Sequence, residues 1–142
     1  MTPATPADAG RLAALRVEAM RPSLEAAGRF DPVRARERFL SGFVARDTQV
    51  IRSEGELAGF FVVRDRGDHL YLDHLYLAAA FQGQGIGGRV VRALQEEARR
   101  RGIPVRLLAL NGSPAGRFYQ SLGFRAVARD ALDTQYEWQA GG

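Results

Sequence analysis

The segment Gln82-Gly83-Gln84-Gly85-Ile86-Gly87-Gly88 places four glycines immediately ahead of an amphipathic stretch. Glycine lets backbone N–H groups approach an anion closely, and a helix N-terminus adds partial positive charge. A phosphate is the group such a segment suits. Upstream, Asp73 and His74 bring a carboxylate and an imidazole, and downstream Tyr119 brings a phenol. These are groups that move protons near neutral pH. The composition removes much other chemistry. Cysteine is absent and all 20 basic side chains are arginine, so disulfides, thiolate zinc sites, cysteine nucleophiles, Walker-type loops and lysine Schiff bases are excluded. The two histidines, His69 and His74, are too few for a His-rich centre, and no metal site is expected.

Two rival readings of the glycine segment stand beside phosphate binding at this helix. Gly83-Gln84-Gly85-Ile86-Gly87-Gly88 also fits the dinucleotide pattern G-x-G-x-x-G. That pattern calls for an acidic residue about 20 positions on, at the end of the next strand. The next strand here ends at Asn111 without one, and too little chain follows for a doubly wound sheet. A glycine-rich turn with no ligand is the other reading, but it gives no packing reason for the entropy that four glycines lose on folding. The net charge of +4 invites a nucleic-acid reading as well. The arginines are scattered, however, and the one dense run, Arg99-Arg100-Arg101, closes a helix, where cations meet the negative dipole end. No nucleic-acid partner is expected.

The elements that must position these residues follow from periodicity and caps. At 142 residues the chain is expected to form a single domain over 1–142, burying about two-thirds of its unfolded surface. Asp8 is placed to cap a helix over about 8–20, with Leu12, Leu15 and Met20 on its apolar side and Pro22 as its stop. Asp31-Pro32 opens a second helix to about residue 44, with Ala35, Phe39, Leu40 and Phe43 on one face. Strands are expected over 49–52 and 57–64, joined by Ser53-Glu54-Gly55-Glu56, then over 69–77. In that third strand Leu70, Leu72, Leu75 and Leu77 break the period of two, which implies a β-bulge at Asp73-His74. A long helix spans 85–101 and ends at Gly102, followed by a buried strand over 105–110. A helix begins at Ser113-Pro114 and stops at Gly123, and strands over 124–128 and 132–138 complete the chain. The fold class is α/β, around a mixed sheet.

The spacing now carries a resemblance. Leu75-Tyr76-Leu77 followed by Gln82-x-x-Gly85-x-Gly87 resembles the Gln/Arg-x-x-Gly-x-Gly/Ala signature of the GNAT superfamily of N-acetyltransferases, and Asn111-x-x-x-Ala115-x-x-Phe118-Tyr119-x-x-Leu122-Gly123-Phe124 resembles its second signature. The likeness runs from about Asp8 to Trp138. It implies an acyl-CoA N-acyltransferase fold with a mixed, mostly antiparallel sheet flanked by helices. The bulged strand and the 105–110 strand would splay, with the pantetheine arm of acetyl-CoA lying in the V. By resemblance, Leu75 and Leu77 offer backbone hydrogen bonds to pantetheine. The loop of Gln82, Gly83, Gln84, Gly85, Ile86, Gly87 and Gly88 holds the pyrophosphate, and Asn111 and Tyr119 flank the thioester. The family opens with an N-terminal strand, whereas Met1-Thr2-Pro3-Ala4-Thr5-Pro6 leaves little room for one and suits only an edge. Either that strand is stunted or the chain as given starts late.

The chemistry expected is transfer of an acetyl group to a primary amine by direct attack, without an acyl-enzyme. A lysine-like amine has a pKa near 10.4, so freeing its lone pair at neutral pH costs about 4–5 kcal/mol and a base is useful. Asp73, acting through water, is the first candidate for that base, and His74 the second. Tyr119 is the candidate acid for the leaving thiolate. A small-molecule amine, a peptide N-terminus and a lysine side chain all fit as acceptors, and the residues 22–30 with Tyr136 and Trp138 are expected to wall the acceptor site. A homodimer is compatible with this reading. The alternative from another class is an acyl-CoA-binding regulatory module without turnover. No apolar run approaches the roughly 20 residues of a membrane span, and residues 1–10 show no signal-peptide pattern, so the cytoplasm is the expected compartment.

Overall fold

The elements in chain order are β1 (Thr2–Pro3), α1 (Ala9–Ala26), α2 (Pro32–Ser41), β2 (Thr48–Ser53), β3 (Glu56–Asp65), β4 (Leu70–Leu77), α3 (Ile86–Arg101), β5 (Val105–Leu110), α4 (Ala115–Ser121), β6 (Arg125–Arg129) and β7 (Asp133–Trp138). The computed structural model describes residues 1–26 and 28–141. The seven strands follow the order β1-β2-β3-β4-β5-β7-β6, with β4 and β5 parallel and the β1–β2, β2–β3, β5–β7 and β6–β7 pairs antiparallel. This is the expected α/β class, a mostly antiparallel sheet with helices. The chain divides into two compact units, Met1–Val62 with His74–Gln84, and Val63–Asp73 with Gly85–Gly142.

In the first unit, α1 and α2 close over a core of Leu12, Ala13, Phe39, Val50, Phe60 and Val62, against which Leu15, Leu40, Phe43 and Tyr76 pack. Phe39 meets Phe60 edge-on at 5.3 Å, the arrangement aromatic pairs favour. Asp31 caps α2 as expected, its carboxylate accepting the Arg34 N–H at 3.1 Å, and Pro32 fills the first helical position. The helix stops at Ser41 rather than near residue 44, because Gly42 takes the C-cap with its N–H on the Phe39 carbonyl. The β2–β3 hairpin turns on Glu54 (φ 51°) and Gly55 (φ 83°), the pair of positive φ values that matches strand twist.

Two expectations for α1 are corrected. Asp8 is not its N-cap: a short 3-10 turn over Pro6–Asp8 precedes the helix, and the Asp8 carboxylate reaches back to the Thr5 N–H at 2.9 Å. Nor does Pro22 end the helix, which continues to Ala26. Proline removes one donor, but Pro22 and Glu18 lie on the exposed side, where the orphaned carbonyl meets water. The Arg21–Glu25 pair at 2.8 Å spans the same turn. A two-residue N-terminal strand is present. Thr2 and Pro3 pair with Val50 and Gln49 at the sheet edge, a place where proline is tolerated.

In the second unit, α3 buries Ile86, Val90, Val91, Leu94 and Ala98, and Gly102 (φ 66°) ends it in a left-handed cap. The β4–β5 ladder is short: Leu70, Tyr71 and Leu72 pair with Val105, Arg106 and Leu107, and pairing stops immediately before Asp73-His74. On its other side β5 pairs with β7 over its whole length, and Arg106 bonds Glu137 across that pair at 2.8 Å. The arginine run at the end of α3 is paired: Arg99 with Glu96, Arg100 with Glu97, and Arg101 with Asp65 at 2.9 and 3.1 Å.

One close approach fixes the end of β4 within the first unit. A Cβ on Gly59 would lie 2.2 Å from the Tyr76 carbonyl oxygen, a backbone atom that cannot swing aside. Gly59→Ala is therefore expected to destabilise the protein by about 1–3 kcal/mol, the usual range for overpacking. Urea denaturation checks this. A midpoint equal to that of the wild type would show that β4 yields freely.

Candidate functional site

The loop after β4 is organised by its own side chains. Gln82 folds back so that Nε2 donates to the Leu77 carbonyl at 3.1 Å, and Gln84 donates to the Ala80 carbonyl at 3.3 Å. Gly83 and Gly85 both adopt φ 78°, the left-handed region that favours glycine, and Gly85 is the N-cap of α3. The first intrahelical bond runs from Arg89 N–H to the Gly85 carbonyl at 3.1 Å. Geometry alone therefore leaves the amides of Ile86, Gly87 and Gly88 without partners inside the helix, at its positive end. Ile86 and Gly87 are buried and anchor this turn. No acidic residue occupies the first turn. Instead Arg89 and Arg92 are exposed in the first two turns, and a Cβ on Gly88 would lie 3.5 Å from Arg92 Nη1. Cations there oppose the helix dipole, so their placement makes sense for a strongly anionic ligand. Leu75 and Leu77 are half-buried on the strand that leads in.

The two base candidates fall in different units. In the second, Oδ2 of Asp73 is held by Arg64 through Nε at 3.2 Å and Nη2 at 3.1 Å. In the first, the His74 ring stacks edge-on to Phe39 at 5.3 Å and lies 5.6 Å from the Tyr76 ring. His74 Nδ1 is 3.4 Å from the Tyr76 hydroxyl, which itself donates to Met20 Sδ at 3.2 Å.

Asn111 and Tyr119 share the second unit. Both ends of the Asn111 amide are engaged: Nδ2 donates to the Asp130 carbonyl at 3.0 Å, and Oδ1 accepts the Thr134 hydroxyl at 2.6 Å. Its backbone N–H reaches the Leu132 carbonyl at 2.7 Å. Asp130 in turn accepts the Leu132 and Asp133 N–H groups, and those bonds hold its carboxyl below the usual carboxylate range. Tyr119 is buried near the end of α4, with Phe118 at 5.0 Å and Phe124 at 5.5 Å. Its carbonyl accepts the Leu122 and Phe124 N–H groups, while Gly123 (φ 93°) turns the chain.

Tyr136 and Trp138 are buried among the second unit's own elements: a Cβ on Gly116 would lie 2.7 Å from the Tyr136 hydroxyl, and Arg99 covers the Trp138 ring at 5.6 Å. The inward phase of β7 packs these rings into the core. Of residues 22–30, the first five are helical and belong to α1, and Ala27 lies outside the described residues. Sequence reasoning also missed Arg64, Asp130 and Thr134, which hold Asp73 and Asn111. Asp130 alone left a signal, since an aspartate just before a strand commonly bonds the N–H groups that follow. Among the described residues no group of three or more His, Cys, Asp or Glu side chains is placed to hold a metal ion, and no helix is long and apolar enough to cross a membrane.

Residues 14–124 match the acetyltransferase (GNAT) family model, and the chain belongs to that family. No curated protein sequence matches. Solved structures share the fold. An acetyltransferase from Thermus thermophilus is 19% identical, with a TM-score of 0.73 over 97% of this chain and 94% of that one. The PaiA N-acetyltransferase from Thermoplasma acidophilum, in complex with coenzyme A, is 17% identical, with a TM-score of 0.70 over 94% and 93%. The ribosomal-protein-S18-alanine N-acetyltransferase from Escherichia coli is 20% identical, with a TM-score of 0.61 over 73% and 76%.

The loop geometry makes a two-variant prediction. A Cβ on Gly85 meets nothing within 4 Å, so Gly85→Ala brings only backbone strain, about 1–2 kcal/mol. Gly85→Asp adds a negative charge at the helix start, worth up to about 2 kcal/mol against an anionic ligand, or on the order of 30-fold in affinity. Calorimetry with acetyl-CoA is expected to show the aspartate variant weaker than the alanine variant by that factor. Equal affinities would remove the pyrophosphate from this loop.

Proposed function

We propose that the protein transfers an acetyl group from acetyl-CoA to a primary amine by direct attack in a ternary complex. The observation that carries this reading is the loop: two left-handed glycines deliver the start of α3, where amides without intrahelical partners and two arginines stand in place of the usual acidic residues. Amides from Gly83 to Gly88 hold the pyrophosphate. Gln82, bonded to the Leu77 carbonyl, sets the loop on the end of β4, and Leu75 and Leu77 lend backbone groups to the pantetheine arm. The absence of cysteine favours attack of the amine on the thioester itself. Proximity in the ternary complex then supplies much of the rate.

His74 takes the amine's proton. Oδ2 of Asp73 is committed to Arg64, whereas His74 offers an imidazole, a group that ordinarily exchanges protons close to neutral pH. Tyr119 gives a proton to the leaving thiolate: a phenol near pKa 10 is protonated at neutral pH, and the thiol it forms titrates near 8.5. Asn111 acts as a positioning residue, locking the end of β5 to Thr134 and the Asp130 turn. The cofactor site and this proton chemistry are compatible with small-molecule, peptide and lysine amines. A thiol-release assay across a panel of such amines tests the whole reading. A regulatory module would bind acetyl-CoA and release no CoA with any of them.

The assignment of the base divides two variants. His74→Gln is expected to lower turnover most at low pH, where the amine is protonated, and to remove one limb of the pH–rate profile. Asp73→Asn is expected to leave that limb in place. The opposite pattern gives the role to Asp73, and no change in either means proton loss through solvent.

Tyr119→Phe keeps the ring and removes the hydroxyl. The proton moves uphill by about 1.5 pKa units, so the loss belongs at the low end for acid catalysis, on the order of 10²-fold. Single-turnover acetyl transfer, with the best amine of the panel, is the measurement. Equal chemical-step rates would show that Tyr119 only packs.

A further inference from the structure

Helices α1 and α2 of the first unit enclose an open groove of about 310 Å³. Ala14, Val17 and Glu18 line it from α1, and Pro32, Val33 and Arg36 from α2. Four of these side chains are apolar, and Val33 is 64% exposed. Apolar residues scattered singly over a surface are ordinary, but these share one concave face. The fold does not call for them there, since none belongs to the core cluster that Leu12, Ala13 and Phe39 form from the same two helices.

The two charges stand at opposite ends of the groove. Arg36 reaches the start of α1, where its Nη1 donates to the Gly10 carbonyl at 3.3 Å. Glu18 lies two turns further along α1, about 12 Å of rise from Gly10. Both charges are free to take a partner. Among the described residues no carboxylate pairs with Arg36. Glu18 meets Arg21 at 3.9 Å, but Arg21 is held more closely by Glu25, at 2.8 Å.

An occupant that suits this face is apolar in the middle and carries the same two charges in reverse order. The groove itself, turned end for end, has that pattern. A two-fold axis across its middle sets Glu18 of each copy against Arg36 of the other, so one contact is made twice. A small apolar ligand would fill the middle and leave both charges idle. A standard interface takes about 800 Å² from each partner, and two helices side by side, with α1 about 27 Å long, present a face of that order.

We infer that a second copy of this chain docks on the α1–α2 groove, in a two-fold pair held by its apolar floor and registered by Glu18 and Arg36. The inference stands apart from the transferase reading and needs no cofactor.

Sedimentation velocity of the full chain over a concentration series is the test. The wild type is expected to run as a dimer at about 100 µM, where a Kd of micromolar order leaves little monomer. Glu18→Arg or Arg36→Glu alone sets like charges opposite each other at two symmetric places. Each is expected to weaken the dimer by tens-fold to about a hundredfold. The double exchange, Glu18→Arg with Arg36→Glu, restores opposite charges and is expected to recover most of the affinity. Recovery reports a contact between copies, because about 12 Å separates the two positions within one. Val33→Ser leaves the charges alone and is expected to weaken the dimer as well. All three positions are exposed, so circular dichroism is expected to show every variant folded. A wild type that stays monomeric at the highest concentration overturns the inference and leaves the groove to a different partner, and this measurement depends on no variant. A dimer that neither single exchange weakens, or that the double exchange fails to recover, overturns it too, since the contact then lies on another face.

Discussion

A helix can offer its first amides to an anion only if the chain entering it turns aside without laying its own carbonyls or side chains across them. In this protein that turn is made by Gly83 and Gly85, alternate residues that both adopt φ 78°. An L-side chain at either position carries a left-handed penalty, so the spacing of the two glycines is a backbone requirement rather than a matter of composition. The flanking glutamines then take up the carbonyls that would otherwise face inward: Gln82 holds Leu77 and Gln84 holds Ala80. What remains at the helix start is N–H, dipole and arginine. Most other features of the fold place β4 before this turn and α3 after it.

The supports on either side differ in kind. Ahead of the loop the restraint is steric, since Gly59 lets the Tyr76 carbonyl approach a spot where any Cβ would collide. In the second unit the restraint is polar. Asn111 ties β5 to β7 and to the preceding turn, Arg106 ties the same pair through Glu137, and Gln95 of α3 donates to the Leu122 carbonyl at the end of α4 at 2.8 Å. Each bond is directional and sits where a strand or helix ends. A half-buried amide with both ends satisfied fixes a register that apolar packing alone would let slip.

This division explains what could be read in advance. Periodicity, caps and glycine stops belong to local physics, and they located α2, α3, β5 and the turn at Gly123 to within a few residues. The glycine loop was legible for the same reason, because its conformational demand is local. Asn111 could be singled out, but its partners Asp130 and Thr134 lie about 20 residues on and leave no periodic trace. Tyr136 and Trp138 read as site walls because aromatic residues suit both pockets and cores. The phase of β7 turns both rings into the second unit. At Pro22 a strong local rule gave way to exposure: a helix missing one donor survives where water can answer the carbonyl.

Arg16 is the residue for which local reading had no handle at all. It occupies an apolar slot in the stripe that runs from Leu12 to Met20, and helical periodicity would assign that slot to leucine. A leucine there would stabilise the core, since the guanidinium brings a buried charge with one hydrogen bond and an unsatisfied Nε. The apolar cluster of the unit, with Phe39 and Phe60 in it, is built without its head group. What the arginine does supply is its one bond to the Ala35 carbonyl, which ties α1 to α2 at a point where leucine could only pack.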